Sequence, residues 1–156
     1  MTLALAQWPK PSLTLIMSTK TKEKMVDMKI IELAFLALGG VAGTFLRYKM
    51  ILVPTYLGAL QANVLAVNVL GSFILGAFAV ISQQWHLDGK YALLIAFGFC
   101  GSLTTMSAVA FDTHGFLSNA KYGLMALNAL LNLGLSVAAI FGARALFNMI
   151  LGNNPA

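Results

Sequence analysis

Asn68 stands alone at the middle of an apolar run, Val64-Leu65-Ala66-Val67-Asn68-Val69-Leu70-Gly71-Ser72. A second run carries Gly101-Ser102-Leu103-Thr104-Thr105, and a third carries Asn128, Asn132 and Ser136 at i, i+4 and i+8. Each amide offers two N–H donors and one carbonyl acceptor. The three polar residues of the third run share one helix face, as a ladder about 12 Å long. Neutral donors in such a stripe suit a small anion that must shed its hydration shell. Glycines followed by hydroxylated and β-branched residues weaken a helix. Carbonyls freed at such a break suit a cation, whereas freed amides and hydroxyls suit an anion. The plain alternative is structural: Asn68 makes an interhelical hydrogen bond, worth about 1 kcal/mol in membranes, and the ladder is a polar packing seam. Arg47, followed by Tyr48 and Lys49, either snorkels to an interface or holds positive potential at a pore vestibule.

The elements that must hold these residues follow from composition. The chain has 156 residues, 59% of them hydrophobic and 10% charged, with a mean hydropathy of +0.82. Soluble domains carry roughly 25% charged residues, so a water-soluble fold is excluded. About 20 apolar residues cross a bilayer core as a helix, and four stretches qualify: residues 29–53, 61–82, 90–112 and 122–147. Glu32 and Arg47 interrupt the first near its ends. The expected fold is therefore an all-α membrane protein of four transmembrane helices, the third one broken. Hydrocarbon does not tolerate an amide or unwound backbone unless protein or a water-lined path satisfies it. The polar groups therefore read as the lining of an ion pathway.

The lone Cys100 excludes an internal disulfide, and two histidines provide no metal cluster. Net charge is +5, but five of the ten basic residues lie in the first 29 positions and the others are scattered singly at helix ends. That is interfacial placement in a membrane protein, and it argues against nucleic acid. Residues 1–27, with Lys10, Lys20, Lys22 and Lys24 among Ser and Thr, read as a disordered basic tail. Residues 28–150 form the four-helix domain, and 151–156 a short C-terminal tail. Met17, Met25 and Met28 are alternative starts. Counted from Met28, Lys29, Lys90 and Arg144 oppose Arg47, Lys49 and Lys121, three against three. Such balance leaves orientation open and allows insertion both ways up; the tail shifts the count to seven against three. Gly39 with Gly43, and Ser72 with Gly76, let helices approach closely, either within one subunit or across a dimer seam.

Three blocks in order at matching spacing carry a resemblance to a known family. They are Gly39-Gly40-Val41-Ala42-Gly43-Thr44-Phe45-Leu46-Arg47-Tyr48, Val67-Asn68-Val69-Leu70-Gly71-Ser72-Phe73-Ile74-Leu75-Gly76, and Gly98-Phe99-Cys100-Gly101-Ser102-Leu103-Thr104-Thr105-Met106-Ser107. With them the chain resembles the Fluc (CrcB-type) fluoride channels over residues 28–150. The resemblance implies a fluoride-selective channel in the plasma (inner) membrane, through which cytoplasmic fluoride leaves passively and its toxicity falls. It implies a dual-topology antiparallel homodimer, or a heterodimer with a second subunit of the same type, surrounded by lipid. Asn68 would line the pore and Arg47 serve the vestibule. A structural sodium ion would sit at the dimer axis on the backbone carbonyls of Gly101 and Thr104. Asn128, Asn132 and Ser136 resemble the family's polar track, with Asn where Tyr and Ser are more usual. Met106 and Val109 stand where the family has two phenylalanines whose ring edges, the positive part of the quadrupole, face fluoride. Ser107 keeps its hydroxyl at the same place, and Phe111 lies two residues beyond Val109. Met106, Ser107 and Val109 complete the expected pore lining.

Two other functions fit four short helices. A proton-coupled exporter of the small multidrug type needs a membrane-embedded carboxylate, and Glu32, near a helix start, is the sole candidate. A degenerate, non-conducting subunit of a heterodimeric channel, acting as an anchor, would suit Met106 and Val109. No Gly-x-x-x-x-Gly-Lys-[Ser/Thr] loop for ATP is present, and no set of residues points to an enzyme.

Overall fold

The structure is a computed structural model and describes residues 30–152; the basic tail expected over residues 1–27 lies outside the described residues, as do residues 153–156. Helix α1 spans Ile30–Leu52, with Glu32 in its first turn and Lys49 in its last. Both charges complement the helix dipole. A two-residue hairpin follows, β1 (Tyr56–Leu57) paired antiparallel with β2 (Leu60–Gln61), Tyr56 opposite Gln61. Helix α2 spans Ala62–Gln84. Asp88 then caps α3 (Gly89–Ala92) by accepting from the Lys90 N–H at 3.0 Å. Helix α3 runs directly into a π-helical stretch, Leu93–Cys100, and one further turn, α4 (Gly101–Leu103). Thr104 and Thr105 are extended, after which α5 (Met106–Ser118) and α6 (Tyr122–Ile150) complete the fold.

Four segments are long and apolar enough to cross a bilayer: Ile30–Leu52, Ala62–Gln84, Gly89–Ser118 and Tyr122–Ile150. The third runs past its expected end at Asp112. A charge in a sequence reads as an interface, yet here Gln61 Nε2, at the start of α2, donates to Asp112 Oδ1 at 3.0 Å. The distribution of side chains is inverted relative to a soluble domain: Asn63, Asn68, Thr105, Asn128 and Asn132 are buried, while Phe45, Phe111, Leu130 and Phe141 face outward. An apolar exterior around a polar interior is what hydrocarbon as solvent selects.

Helix packing is set by missing side chains. A Cβ on Gly39 would overlap the Leu94 carbonyl, and one on Gly43 would overlap the Phe99 carbonyl. The Gly-x-x-x-Gly pair therefore seats α1 against the π-helical stretch of the same subunit, which resolves the alternative left open by spacing alone. Gly76 likewise lies against the Ile140 backbone of α6, 2.7 Å from a built Cβ to the carbonyl oxygen. Helix α2 packs most extensively on α6, and α5 packs on α6 as well.

Asn63, which spacing did not single out, ties the end of α1 to the start of α2. Its Nδ2 donates to the Met50 and Val53 carbonyls, and its Oδ1 accepts from the Thr55 N–H at 2.6 Å. Those carbonyls end a helix and lack helical donors of their own. Asn63→Leu is expected to destabilise the folded protein by about 1–3 kcal/mol, since three partly buried backbone groups lose bonds worth about 0.5–1.5 kcal/mol each, with partial recovery by water. A fall in the temperature at which the detergent-solubilised protein leaves its monodisperse gel-filtration peak would register this. An unchanged temperature would show the three bonds to be dispensable.

Candidate functional site

The polar interior converges on the extended pair Thr104-Thr105. In an unbroken helix the Thr105 N–H would bond the Gly101 carbonyl, four residues back. It donates instead to Asn68 Oδ1 on α2, at 2.7 Å. Asn68 thus takes the N–H that would have closed the turn. Thr105 starts α5 by accepting from the Ala108 N–H through its own Oγ1 at 3.3 Å, and its hydroxyl lies 3.1 Å from that of Ser107. On the other side of the pair, the Thr104 hydroxyl donates back to the Cys100 carbonyl at 3.0 Å. The Gly98 and Gly101 positions, which composition marks as the weak point, are helical. Gly98 is needed for contact, because its Cβ would come within 2.8 Å of the Leu36 carbonyl.

The break has two electrostatic faces. The C-terminal end of the α3–α4 run presents carbonyls, and the N-terminus of the 13-residue α5 presents N–H groups and the positive end of its dipole. A cation is favoured on one side and an anion on the other.

A cavity of about 280 Å³ opens beside this break. Asn68, Ser72, Gly101, Thr104, Met106, Asn132 and Ser136 line it, with Cys100 and leucines around them. Six of the expected site residues are therefore brought together: Asn68, Met106, Asn132, Ser136, Gly101 and Thr104. Met106 is 71% exposed. The structure places the other four elsewhere. Ser107 sits in the first turn of α5, about 100° round the helix from Met106, and is not among the residues that line the cavity. Val109 is buried, and its carbonyl rather than its side chain meets a polar partner, the Asn128 amide. Asn128 is also buried and is not among the lining residues. Arg47 lines a separate groove of about 380 Å³ with Thr44 and Tyr48. It is still linked to the break, because its Nη1 donates to the Thr104 carbonyl at 3.3 Å. Phe111 faces outward.

Asn68 is half of an asparagine pair. Its Nδ2 donates to Asn132 Oδ1 at 2.9 Å, across 64 positions of sequence. Asn132 Nδ2 donates in turn to the carbonyl and the Oδ1 of Asn128, at 3.0 and 3.1 Å. Asn128 Nδ2 reaches Thr113 Oγ1 at 3.0 Å and the Val109 carbonyl at 3.3 Å. The sequence places Thr105 in the break without giving it a partner, and it does not single out Thr113. A polar residue at i+4 from Val109 on α5 was the available signal, but threonine is common on helices and returns its hydroxyl to the preceding turn, as Thr113 does here at 2.6 Å.

Comparison with known proteins adds what geometry cannot. Residues 34–144 match the family described as CrcB-like protein, camphor resistance. A fluoride-specific ion channel of Nitrosopumilus maritimus is 52% identical over 126 residues, covering 81% of this chain and all of the relative. Proteins of the same name from Koribacter versatilis and a Sulfurihydrogenibium species are each 36% identical; they cover 79% and 74% of this chain, and 100% and 95% of their own lengths. Because the family's match covers α2 through the break and α5, and full-length relatives align at this identity, the chain belongs to the CrcB family and is a multi-pass membrane protein.

Proposed function

We propose that this chain is a fluoride channel of the plasma (inner) membrane, working as a dual-topology antiparallel homodimer whose pores run along the cavity beside the broken third helix. The observation that carries the reading is the Asn68 amide, buried in mid-span at the positive end of α5 and lining that cavity. The names of the relatives supply the ion: they are fluoride-specific ion channels. Fluoride is small and a strong hydrogen-bond acceptor, so only fixed N–H and O–H donors replace its water without a prohibitive cost. HF crosses membranes as a neutral molecule and ionises in the more alkaline cytoplasm, where the anion is trapped. A passive path then suffices to let it leave.

The sodium ion of the resemblance can be tested against the donor set. Diverting the Thr105 N–H to Asn68 deprives the Gly101 carbonyl of its helical donor. The Thr104 carbonyl carries one long bond, from Arg47. Uncharged backbone oxygens are the hard donors an alkali ion takes, as in the backbone-carbonyl filters of cation channels. Gly101 and Thr104 fit and would hold sodium together with their equivalents in a second copy. When bound, the ion supplies a fixed positive charge at the dimer axis. Arg47 adds a second positive charge near the same carbonyl and keeps the vestibule attractive to anions.

Neither the exporter nor the non-conducting subunit gains support. The test is release of ions from liposomes that contain this chain alone. Fluoride is expected to leave at least about a hundredfold faster than chloride, the ratio given by about 3 kcal/mol of differential binding. Equal release of both ions, or of neither, would overturn the reading.

A further inference from the structure

The three buried asparagines form a hydrogen-bonded chain with one direction and no freedom to reverse. The oxygen and nitrogen of an amide are nearly isosteric, so orientation is settled only by partners that can play a single role. Each of the three amides has one. The Thr105 backbone N–H only donates, so the atom facing it is Asn68 Oδ1. The Asn128 backbone carbonyl only accepts, so it faces Asn132 Nδ2. The Val109 carbonyl likewise faces Asn128 Nδ2. With all three orientations set by the backbone, the side-chain links from Asn68 to Asn132 and from Asn132 to Asn128 match donor to acceptor without conflict. The chain ends at Thr113, whose hydroxyl accepts from Asn128 and donates to Val109.

The donors are unequally spent. Asn132 and Asn128 each have two acceptors within reach of Nδ2. Asn68 Nδ2 has one acceptor among the described residues, and Asn68 lines the cavity. One N–H is left for an ion, and it belongs to Asn68. Were Asn128 or Asn132 to turn a donor toward the ion, a buried carbonyl would be stripped of its partner, at a cost comparable to the gain.

We infer that Asn132 and Asn128 are positioning residues: they lock the Asn68 amide, hold its remaining N–H toward the cavity and polarise it, and they are not themselves a track of ion ligands. Successive amides bonded in one sense strengthen one another, so the donor that meets the ion is the end of a relay anchored on α5 and α6. The inference rests on the fluoride-channel reading for its functional consequence, although the locked orientation stands without it.

The functional test is a double-mutant cycle of Asn68→Ala and Asn132→Ala, read as the ratio of fluoride to chloride release from liposomes. Asn132→Ala alone is expected to lower the ratio about tenfold. In the Asn68→Ala background it is expected to change nothing further, because its influence passes through Asn68. Independent effects that multiply would overturn the inference, as would an unchanged ratio in Asn132→Ala. The second measurement needs no transport: the side-chain ¹⁵N–¹H pair of Asn68 in detergent-solubilised protein. The two protons are expected to be well separated in the wild type, and Asn132→Ala is expected to collapse the separation while the Thr105 backbone amide stays shifted by its bond. Asn128→Ala, one link further, is expected to move the same pair by less. An Asn68 pair indifferent to both substitutions overturns the locked relay. A wild-type protein that releases no fluoride overturns the channel reading instead, and the spectra still decide the relay.

Discussion

Asn68→Leu is expected to cut fluoride release by at least about a hundredfold. Leucine matches asparagine in size but offers neither the oxygen that holds the Thr105 N–H nor the N–H that lines the cavity. The freed Thr105 N–H then has its helical acceptor, the Gly101 carbonyl, available again. The break would tend to mend, withdrawing carbonyls from the cation side and N–H groups from the anion side together. A hydrogen bond to a charged group is worth about 1.5–3 kcal/mol, so the lost donor alone accounts for about one to two orders of magnitude in rate. The assay is electrode-monitored fluoride release, with the variant shown to elute at the wild-type size. Flux equal to the wild type, with chloride still excluded, would remove Asn68 from the pathway and with it the proposed pore.

Gly43→Leu is expected to abolish folded protein. The contact it meets is the Phe99 backbone carbonyl in the π-helical stretch, and a backbone atom cannot rotate away as a side chain can. Helix α1 would have to move off the third span, which breaks the Arg47 link to Thr104 as well. In lipid no hydrophobic driving force compensates, since close packing is itself what holds helices together. Gly142→Ala is the control, because nothing lies within 4 Å of a Cβ built there. Gel filtration of detergent extracts should show a monodisperse peak for Gly142→Ala and none for Gly43→Leu. A folded Gly43→Leu protein would mean that α1 does not pack where its glycines place it.

These two residues also mark how far the sequence can be read. Four apolar runs, the membrane as solvent and Asn68 as a polar group in mid-span all follow from residue types in order. Hydropathy is local and additive, so a window of neighbours suffices to find a span. The three motif blocks supply the family in the same way. The third helix continues to Ser118, beyond the apolar run that ends at Asp112, and the partner of Asp112, Gln61, lies 51 positions away, outside any window of neighbours. The ladder of Asn128, Asn132 and Ser136 was visible as a stripe on one face. Which of its members meet the cavity was not, since Asn128 is turned to α5 and only Asn132 and Ser136 line the space.

The sequence by itself determined the solvent, the number of crossings and the polar residues that hydrocarbon would not accept unpaired. Only the tertiary structure decided the pairing: that Asn68 captures the Thr105 N–H, that Asn132 and Asn128 hold Asn68, that Val109 contributes a carbonyl, and that Gly39 and Gly43 face a helix of their own subunit. The reason is physical. A hydrogen bond depends on distance and angle between groups remote in sequence, and an amide presents the same two options until a backbone N–H or carbonyl leaves it one.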